Sequence, residues 1–318
     1  MLFGSAEQDS GAILSREQSR LLDRLAMEQY GMSGLVLMEN AGRGAVDVLC
    51  RLEGCFRPAE ARDSCFPDSY LKEARMSPDL KEAPTRPETS VSNGPSVGQL
   101  TSASAASLRA ESTWGQKAFD WHRLQVRHQD FGGPVVICCG RGNNAGDGLV
   151  MARHLWLRRH PVQVFLWSKP EELSPDAAAN YAILQKAGFP IECFPTGHEP
   201  ERLAQALAEA SWIVDALLGT GARGQPRPPL DTVITQINSA GKPILAVDLP
   251  SGLDCDTGQA SQPTIRATVT CTFAAAKPGL VRPEAQEYVG RLVVLDIGVP
   301  PPLLPQVLAY SPPEQSTP

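Results

Sequence analysis

The sequence predicts a doubly wound α/β fold, with a mostly parallel sheet and two helices at the N-terminus. Three observations support this fold class. Seven short apolar runs alternate with helical patterns from residue 134 onward, the runs are apolar throughout, and two apolar-rich segments precede them. Strands that are apolar on both faces indicate a parallel sheet covered by helices on each side.

The predicted strands are Pro134–Cys139, Val162–Trp167, Ile191–Phe194, Trp212–Asp215, Pro243–Asp248, Ala267–Thr272 and Leu292–Asp296. The clearest helix between them begins at Ser174-Pro175 and ends at Gly188, because the serine caps the helix and proline suits its first turn. In open α/β sheets, ligands bind at the carboxyl ends of the strands, so the residues that follow each strand are the functional candidates.

The N-terminal segment, residues 1–52, is predicted to contribute two helices to the same domain. Ser15 and Gln18 form a capping-box pattern, and the apolar residues after them recur at helical spacing to about Tyr30. A second apolar-rich segment, Leu35–Leu52, has the same pattern.

Residues 53–130 are predicted to be a disordered insertion. Between residues 53 and 112 the chain is dominated by Pro, Ser, Ala, Glu and Arg and has almost no apolar periodicity. Such a composition buries too little apolar surface to offset the entropy of ordering. A solvated linker is the favoured interpretation, and a partner-binding segment is the alternative. Residues 131–302 would complete the α/β domain, followed by a tail, residues 303–318.

Composition argues against several partner classes. Lys and Arg total 29 against 35 for Asp and Glu, so the net charge of −6 and the lack of a basic run disfavour nucleic acid. No apolar stretch has the length of a membrane span, and the start of the chain lacks a targeting pattern, so a cytoplasmic protein is predicted. The eight cysteines form no CxxC pair, which favours reduced, packed thiols over disulfides or zinc.

A glycine-rich segment, Gly140–Gly148, follows the first predicted strand and precedes a predicted helix, Leu149–His160. Glycines permit a tight turn, and a helix N-terminus offers N–H groups to a phosphate. A turn without a ligand is the alternative, but four glycines, two asparagines and an aspartate exceed what a simple turn needs. The segment is therefore interpreted as a ligand-binding loop.

The same segment contains GxGxxA, a pattern also found in dinucleotide-binding dehydrogenases. In those enzymes an acidic residue ends the next strand and holds the ribose. Here the next strand is followed by Ser168-Lys169-Pro170, and Glu171 and Glu172 come late. An NAD-dependent oxidoreductase is therefore kept as an alternative function.

Three aspartates are expected to share one rim of the sheet. Asp215 and Asp248 each end a predicted strand, and Asp147 lies in the glycine-rich segment. Each of the first two alone is as readily a loop cap. Like charges that converge either share a cation or raise one another's pKa, and both outcomes suit a reactive site.

Other reaction types find less support. The five histidines are scattered, which argues against catalytic zinc. Ser251 lies in Pro-Ser-Gly-Leu rather than GxSxG, which argues against a hydrolase triad. Lys277, after the sixth predicted strand, either meets a substrate phosphate or lies on the surface.

Four ordered motifs resemble the NAD(P)H-hydrate epimerase family, the YjeF N-terminal domain proteins. The resemblance covers about Leu14–Leu52 and Gly133–Pro302. The motifs are Leu-Met-Glu39-Asn40-Ala-Gly, Gly-Asn143-Asn144-Ala-Gly-Asp147-Gly, Asp215-Ala-Leu-Leu-Gly-Thr-Gly and Asp248-Leu-Pro-Ser251-Gly.

The resemblance implies a Rossmann-like fold and a homodimer. It also implies interconversion of the R and S forms of hydrated NADH and NADPH, a repair reaction that feeds a separate NAD(P)H-hydrate dehydratase. A non-catalytic protein-binding or scaffold protein with the same fold is the second alternative, and the retained acids argue against it.

Carried over by motif, the residues implied to bind the hydrated nucleotide are Asn143, Asn144, Ala145, Gly146, Asp147, Gly219, Thr220, Gly221, Ala222, Arg223, Gly224, Gln225 and Asp248. Asn144, Asp215 and Ser251 are implied to coordinate a potassium ion, K+, consistent with the oxygen preference of hard cations. Asp248 is the expected acid–base group, with Asp215 held charged by the cation, although the two roles are open to reversal. Ala145 stands where the family usually has glycine, which would restrict the approach of a phosphate.

Overall fold

Seven parallel strands form the central sheet of this computed structural model, which describes residues 12–56, 132–195, 197 and 200–310. The order across the sheet is β3-β2-β1-β4-β5-β6-β7. The strands are β1 Val135–Cys139, β2 Val162–Leu166, β3 Glu192–Cys193, β4 Trp212–Ala216, β5 Ile244–Val247, β6 Val269–Phe273 and β7 Arg291–Leu295. The predicted α/β fold is confirmed, and the chain changes direction across the sheet between β1 and β4.

Helices cover the sheet on both faces. The α-helices of the described residues are α1 Arg16–Tyr30, α2 Gly34–Phe56, α3 Asn143–Leu157, α4 Pro175–Lys186, α5 Pro200–Glu209, α6 Leu230–Ser239, α7 Gln286–Val289 and α8 Leu303–Leu308. Short 3₁₀ turns occur at Pro170–Glu172, Pro278–Val281 and Pro283–Ala285.

Strand β1 shows why the predicted strands are apolar throughout. Its alternate residues Val135, Ile137 and Cys139 belong to the apolar cluster under α2, α3 and α4. The other two, Val136 and Cys138, belong to the cluster under α5 and α6. Because side chains alternate across a strand, a strand covered on both faces needs an apolar residue at every position.

Helix α1 forms as its capping pattern predicts. The Ser15 side chain accepts a bond from the Gln18 amide, the Gln18 side chain accepts one from the Ser15 amide, and Gly31 ends the helix in the left-handed region. Its apolar face packs with α8, where Leu303 and Val307 are fully buried beside Leu22. The predicted tail therefore begins with a packed helix, in contrast to the expectation.

Helix α2 is longer than predicted and ends at Phe56. The first four residues of the predicted insertion thus continue this helix, and residues 57–130 lie outside the described residues. Residues 1–56 and 128–318 form one compact unit.

Helix α3 begins at Asn143, whereas the sequence predicted a loop up to Gly148 and a helix from Leu149 to His160. Glycine has a low helix propensity, which suggested a loop, but tertiary packing overrides it here. A Cβ atom added at Gly146 would lie 2.5 Å from the Met38 side chain, and one at Gly148 would lie 2.7 Å from Ala216. The glycines thus let the first turns of α3 pack closely.

Two further sequence expectations concern burial. Cys138, Cys139, Cys255 and Cys271 are buried free thiols. Burial, followed by the charge of Asp215, raises the pKa of the Cys139 thiol. Among the helices of the described residues, none combines the length and apolar character needed to cross a bilayer.

Candidate active site

The floor of the site lies at the carboxyl ends of the paired strands β1 and β4. The Gly140 amide donates to the Ala216 carbonyl over 3.0 Å, directly past the end of β1. A Cβ atom at Gly140 would lie 2.0 Å from the Leu217 carbonyl oxygen, so a larger residue would force the two segments apart. The glycine keeps the two loops in contact at the carboxyl edge of the sheet, where ligands bind in such folds.

The three residues expected to bind a cation meet around the backbone of Leu218. Asn144 Nδ2 donates to the Leu218 carbonyl at 3.1 Å, and the Leu218 amide donates to Ser251 Oγ at 2.9 Å. Ser251 Oγ in turn donates to Asp215 Oδ1 at 2.6 Å. The structure therefore brings together side chains that follow three different strands.

Asp215 is completely buried at this point. Its carboxylate also accepts the amides of Ser251 at 2.8 Å and Leu217 at 3.2 Å. Burial raises the pKa of Asp215 to about 6, and the hydrogen bonds from Ser251 and Leu217 oppose this rise. A positive charge placed beside Asp215 would favour its ionised form.

Asn144 Oδ1 supports a cation at the same point. This oxygen is buried and has no hydrogen-bond partner among the described residues. Leaving a buried acceptor unsatisfied typically costs about 1–3 kcal/mol. An amide oxygen, a carboxylate and a hydroxyl are oxygen ligands of the kind that hard cations prefer. The residues present therefore fit the potassium ion implied by the motifs.

A second group of polar side chains surrounds Asp248. The Lys277 ammonium donates to Asp248 Oδ1 at 2.6 Å, to Thr272 Oγ1 at 2.6 Å and to the Phe273 carbonyl at 3.2 Å. Lys277 is only 2% exposed, so its three N–H groups are used inside the protein. The interpretation of Lys277 as a surface residue is wrong, and that of a phosphate ligand stays a prediction.

Asp248 itself has a strained backbone. Its φ is +67°, in the left-handed region that only glycine adopts without cost. This conformation turns the chain sharply at the end of β5, and the Leu249 amide bonds back to the Val247 carbonyl at 2.8 Å. Strain of this kind concentrates at functional positions.

Asp147 and Asp23 complete the group. Burial, and then the charges of Asp248 and Asp23, raise the pKa of Asp147 well above its ordinary value, which favours its protonated form. Asp23 is an exposed residue of α1, but the protein around its carboxyl group and the charge of Asp248 raise its pKa to about 6. Lys277 lowers both pKa values.

The sequence analysis did not find Asp23. It precedes Asp147 by 124 residues and Asp248 by 225, and its pattern is that of an ordinary polar residue on an amphipathic helix. The docking of α1 at the carboxyl edge of the sheet brings it to the site, and nothing in its local sequence marks that contact.

The start of α3 offers backbone donors beside this group. Gly142 is the N-cap residue in an extended conformation and supplies no side-chain cap. The amides of Ala145 and Gly146 donate to the Gly142 carbonyl, at 3.0 and 3.4 Å, so the first two amides of the helix are the ones that can serve a ligand. Asn143 is exposed there. Ala145 is fully buried, and its methyl group packs in the apolar core under the sheet. The Ala145 methyl group therefore does not lie on the exposed side of this turn, where a phosphate would approach.

The loop of residues 219–225 lines a separate cleft of about 360 Å³. Its far wall is the loop that follows Asp248, from Leu249 to Ser261. Residues of the first loop that line the cleft are Gly219, Ala222, Arg223, Gly224 and Gln225. Thr220 and Gly221 are not among the residues that line this cleft. A Cβ atom at Gly221 would lie 3.9 Å from the Arg20 side chain of α1. The implied nucleotide-binding residues thus divide between this cleft and the start of α3.

Fold and site together define a class: a Rossmann-like α/β protein with a cluster of carboxylates at the switch point of the sheet. The family described as YjeF-related protein N-terminus matches residues 108–279. The chain belongs to this family.

Three known proteins illustrate the similarity. An NAD(P)H-hydrate epimerase of Pirellula staleyi is 35% identical over 94% of this chain and 98% of its own length. A bifunctional NAD(P)H-hydrate repair enzyme of Moorella thermoacetica is 45% identical, and the match covers 54% of this chain and 32% of that protein. The crystal structure of yeast ynu0, YNL200c, matches with a TM-score of 0.59 at 21% sequence identity. The match covers 96% of this chain and 97% of the yeast chain, and it supports the fold.

Proposed function

We propose that this protein is an isomerase that interconverts the R and S forms of hydrated NADH and NADPH. The observation that carries the proposal is a group of polar side chains at the carboxyl edge of the sheet, in which Asp147, whose pKa is raised by burial and by the charge of Asp248, lies near an Asp248 held by the buried Lys277. The relative that matches over nearly its whole length is named for the same reaction.

The chemistry requires a proton donor and a proton acceptor. The hydrated carbon of the substrate carries a hydroxyl group and is bonded to the ring nitrogen. Asp147 donates its proton to the hydroxyl oxygen, the carbon–oxygen bond breaks, and water leaves while the ring nitrogen supplies its electron pair. Water then adds to the opposite face of the ring and gives a proton to Asp248, which returns it to Asp147.

Lys277 and Asp23 support these roles in different ways. The Lys277 ammonium donates to Asp248 Oδ1 at 2.6 Å and so fixes the position of the proton acceptor. Asp23 adds a third carboxyl group, and its charge raises the pKa of Asp147. Two carboxyl groups in environments as different as these are typical of an acid–base pair.

The nucleotide part of the substrate is assigned to the two surfaces beside the carboxylates. The first N–H groups of α3 suit the pyrophosphate, since a helix N-terminus attracts anions. The cleft between the loops of residues 219–225 and 249–261 takes the remaining nucleotide, with Arg223 as a cationic side chain in its wall.

A potassium ion would be held by Asn144, Asp215 and Ser251. When bound, it supplies a fixed positive charge that stabilises the ionised form of Asp215. We expect hydrated-nucleotide affinity to increase when potassium is titrated into the protein, with sodium at equal ionic strength as the control. Indifference to both ions would remove the cation site from the proposal.

The biological setting follows from the same reaction. A separate dehydratase would consume the epimer produced here, which fits the joining of repair activities in the bifunctional relative. A homodimer and a cytoplasmic location, both expected from the sequence, stay predictions.

The direct test uses NADH aged by heat or acid, which contains both hydrated epimers. Once one epimer has been consumed by an added dehydratase, the purified protein should restore the equilibrium ratio, followed by chromatography. A non-catalytic scaffold leaves the ratio unchanged. An NAD-dependent oxidoreductase changes the total of oxidised and reduced nucleotide instead, and either result would contradict the proposal.

A further inference from the structure

Arg16, the first residue of α1, is buried although it carries a charge. Its exposed fraction is 2%. Nη2 donates to Asp254 Oδ2 at 2.8 Å, and Nε donates to Asp256 Oδ2 at 3.3 Å. Both carboxylates belong to the loop that follows Asp248, so the guanidinium group ties α1 to that loop.

A third contact extends the tie to the other wall of the cleft. Arg16 Nη1 donates to the Ala222 carbonyl oxygen at 2.8 Å. Ala222 lies in the loop of residues 219–225, and Ala222 and Asp254 both line the cleft. One side chain thus connects the two loops that enclose the cleft.

The position of Arg16 is unfavourable unless these contacts form. A positive charge at a helix N-terminus opposes the helix dipole, and burying it adds a desolvation cost. Asp256 offsets the first effect, because its Oδ1 accepts the Arg16 backbone amide at 2.8 Å and places a carboxylate at the helix start. The anchor is therefore fixed through both the backbone and the side chain.

Arg16 anchors the first turn of α1. Asp23 follows Arg16 by seven residues, which places the two side chains on the same face of the helix. The part of α1 that carries Asp23 is held separately, because the neighbouring Leu22 packs with Leu303 and Val307 of α8.

We propose that Arg16 is a positioning residue that holds the loop of residues 219–225 in the shape that receives the nucleotide. It touches the carbonyl of the loop and no group of the acid–base cluster. Its effect is on substrate binding and not on proton transfer. The identity of the ligand in this inference rests on the proposed function. The geometry of the anchor is independent of that function.

The kinetic test compares Arg16→Lys with a matched control, Arg158→Lys. Lysine keeps the charge but cannot reach two carboxylates and a carbonyl at once. Arg158 pairs with Asp47 at the opposite end of α3 and contributes no atom to the site. We expect KM for the hydrated nucleotide to rise about tenfold in Arg16→Lys, as for loss of a charge-assisted hydrogen bond, with kcat within about twofold. The control should leave both constants unchanged.

A second measurement does not depend on activity. Amide hydrogen exchange, followed by mass spectrometry without substrate, should be faster over residues 219–225 in Arg16→Lys and unchanged in the control. If Arg16→Lys does not fold, Asp256→Asn weakens the same anchor from a partly exposed residue and should change KM and exchange in the same direction, to a smaller extent.

The outcomes separate the two hypotheses. Unchanged exchange in this loop, or a fall in kcat at constant KM, would overturn the positioning role of Arg16. A lower unfolding temperature with unchanged KM would show that Arg16 is only structural. Absence of epimerase activity in the unmodified protein would overturn the proposed function alone, since faster loop exchange in Arg16→Lys would still support the anchor.

Discussion

Two aspartates in different environments lie at the centre of the proposed chemistry. Burial raises the pKa of Asp147 well above its ordinary value, whereas Asp248 accepts a hydrogen bond from the Lys277 ammonium. The residue type alone does not distinguish the two, because an ordinary aspartate has a pKa of about 3.9. The environment that each strand end provides therefore assigns the donor and the acceptor.

We expect Asp248→Asn to lower kcat by about 10²–10⁴-fold while hydrated-nucleotide affinity is retained, because a general acid–base group contributes about this factor. The amide preserves shape, although it leaves Lys277 without its carboxylate and lowers stability to some extent. Epimerisation rate and affinity are measured separately, with Asp47→Asn on the surface of α2 as the control.

A loss of affinity as large as the loss of rate would identify Asp248 as a binding group instead. An unchanged rate would show that Asp215 or Asp147, and not Asp248, accepts the proton. Circular dichroism of the variant confirms that the comparison concerns folded protein.

Asp23 should control the alkaline side of the pH profile. Its negative charge raises the pKa of Asp147, so replacing Asp23 by asparagine lowers that pKa. Asp147 then loses its proton at lower pH, and the alkaline fall of kcat should move to lower pH in Asp23→Asn. The other charges that face Asp23 are Asp248 and Lys277, and neither is changed.

The measurement is kcat against pH for both proteins, with Glu17→Gln, elsewhere on α1, as the control. A profile identical to that of the unmodified protein would show that Asp147 does not donate the proton, or that Asp23 does not act on it.

At the level of single elements, the strands were predictable and some helix ends were not. Each of the seven apolar runs corresponds to an observed strand, and in β1, β4 and β5 burial at every position leaves an uninterrupted apolar signal. The start of α3 was misplaced because glycines mark a loop by propensity, whereas here they permit close packing against Met38 and Ala216.

The candidate site was predictable to a similar degree. Asn144, Asp215 and Ser251 follow strands of one sheet, so topology alone brings them to the same edge. Arg16 and Asp23 lie on α1, whose docking depends on packing with α8 and on ion pairs with distant loops. Local sequence patterns carry no information about such contacts.

Helix α8 should stabilise the fold through its packing with α1. A chain that ends at residue 302 should unfold at a lower temperature, since burial of a side chain such as Leu303 or Val307 contributes about 1.5–3 kcal/mol. Gln18 of α1 would also lose its bonds to the carbonyls of Val307 and Tyr310.

Thermal unfolding measures the effect, and Leu308→Ala, which alters an exposed side chain of the same helix, is the control. An unfolding temperature equal to that of the full chain would show that α8 does not support α1.

At the scale of the whole molecule, the site depends on the union of two separated parts of the chain. Residues 1–56 supply Arg16 and Asp23, and residues 128–318 supply the sheet, its loops and the remaining acids. The segment that joins them in sequence, residues 57–127, contributes none of the side chains assigned to the site.

We therefore expect that replacing residues 57–127 by a linker of about twelve Gly and Ser residues, which spans at most ~40 Å, leaves the fold and the epimerisation rate in place. The sequence of this segment lacks the apolar periodicity of a packed element, and loop-closure free energy changes by only ~0.6 kcal/mol for each doubling of loop length. The replacement begins after Phe56, since α2 extends to that residue. Thermal unfolding and epimer-ratio assays are compared with those of the full chain. A loss of several degrees would show that the segment packs on the unit formed by residues 1–56 and 128–318, and a loss of rate at unchanged stability would show that it contributes to the site.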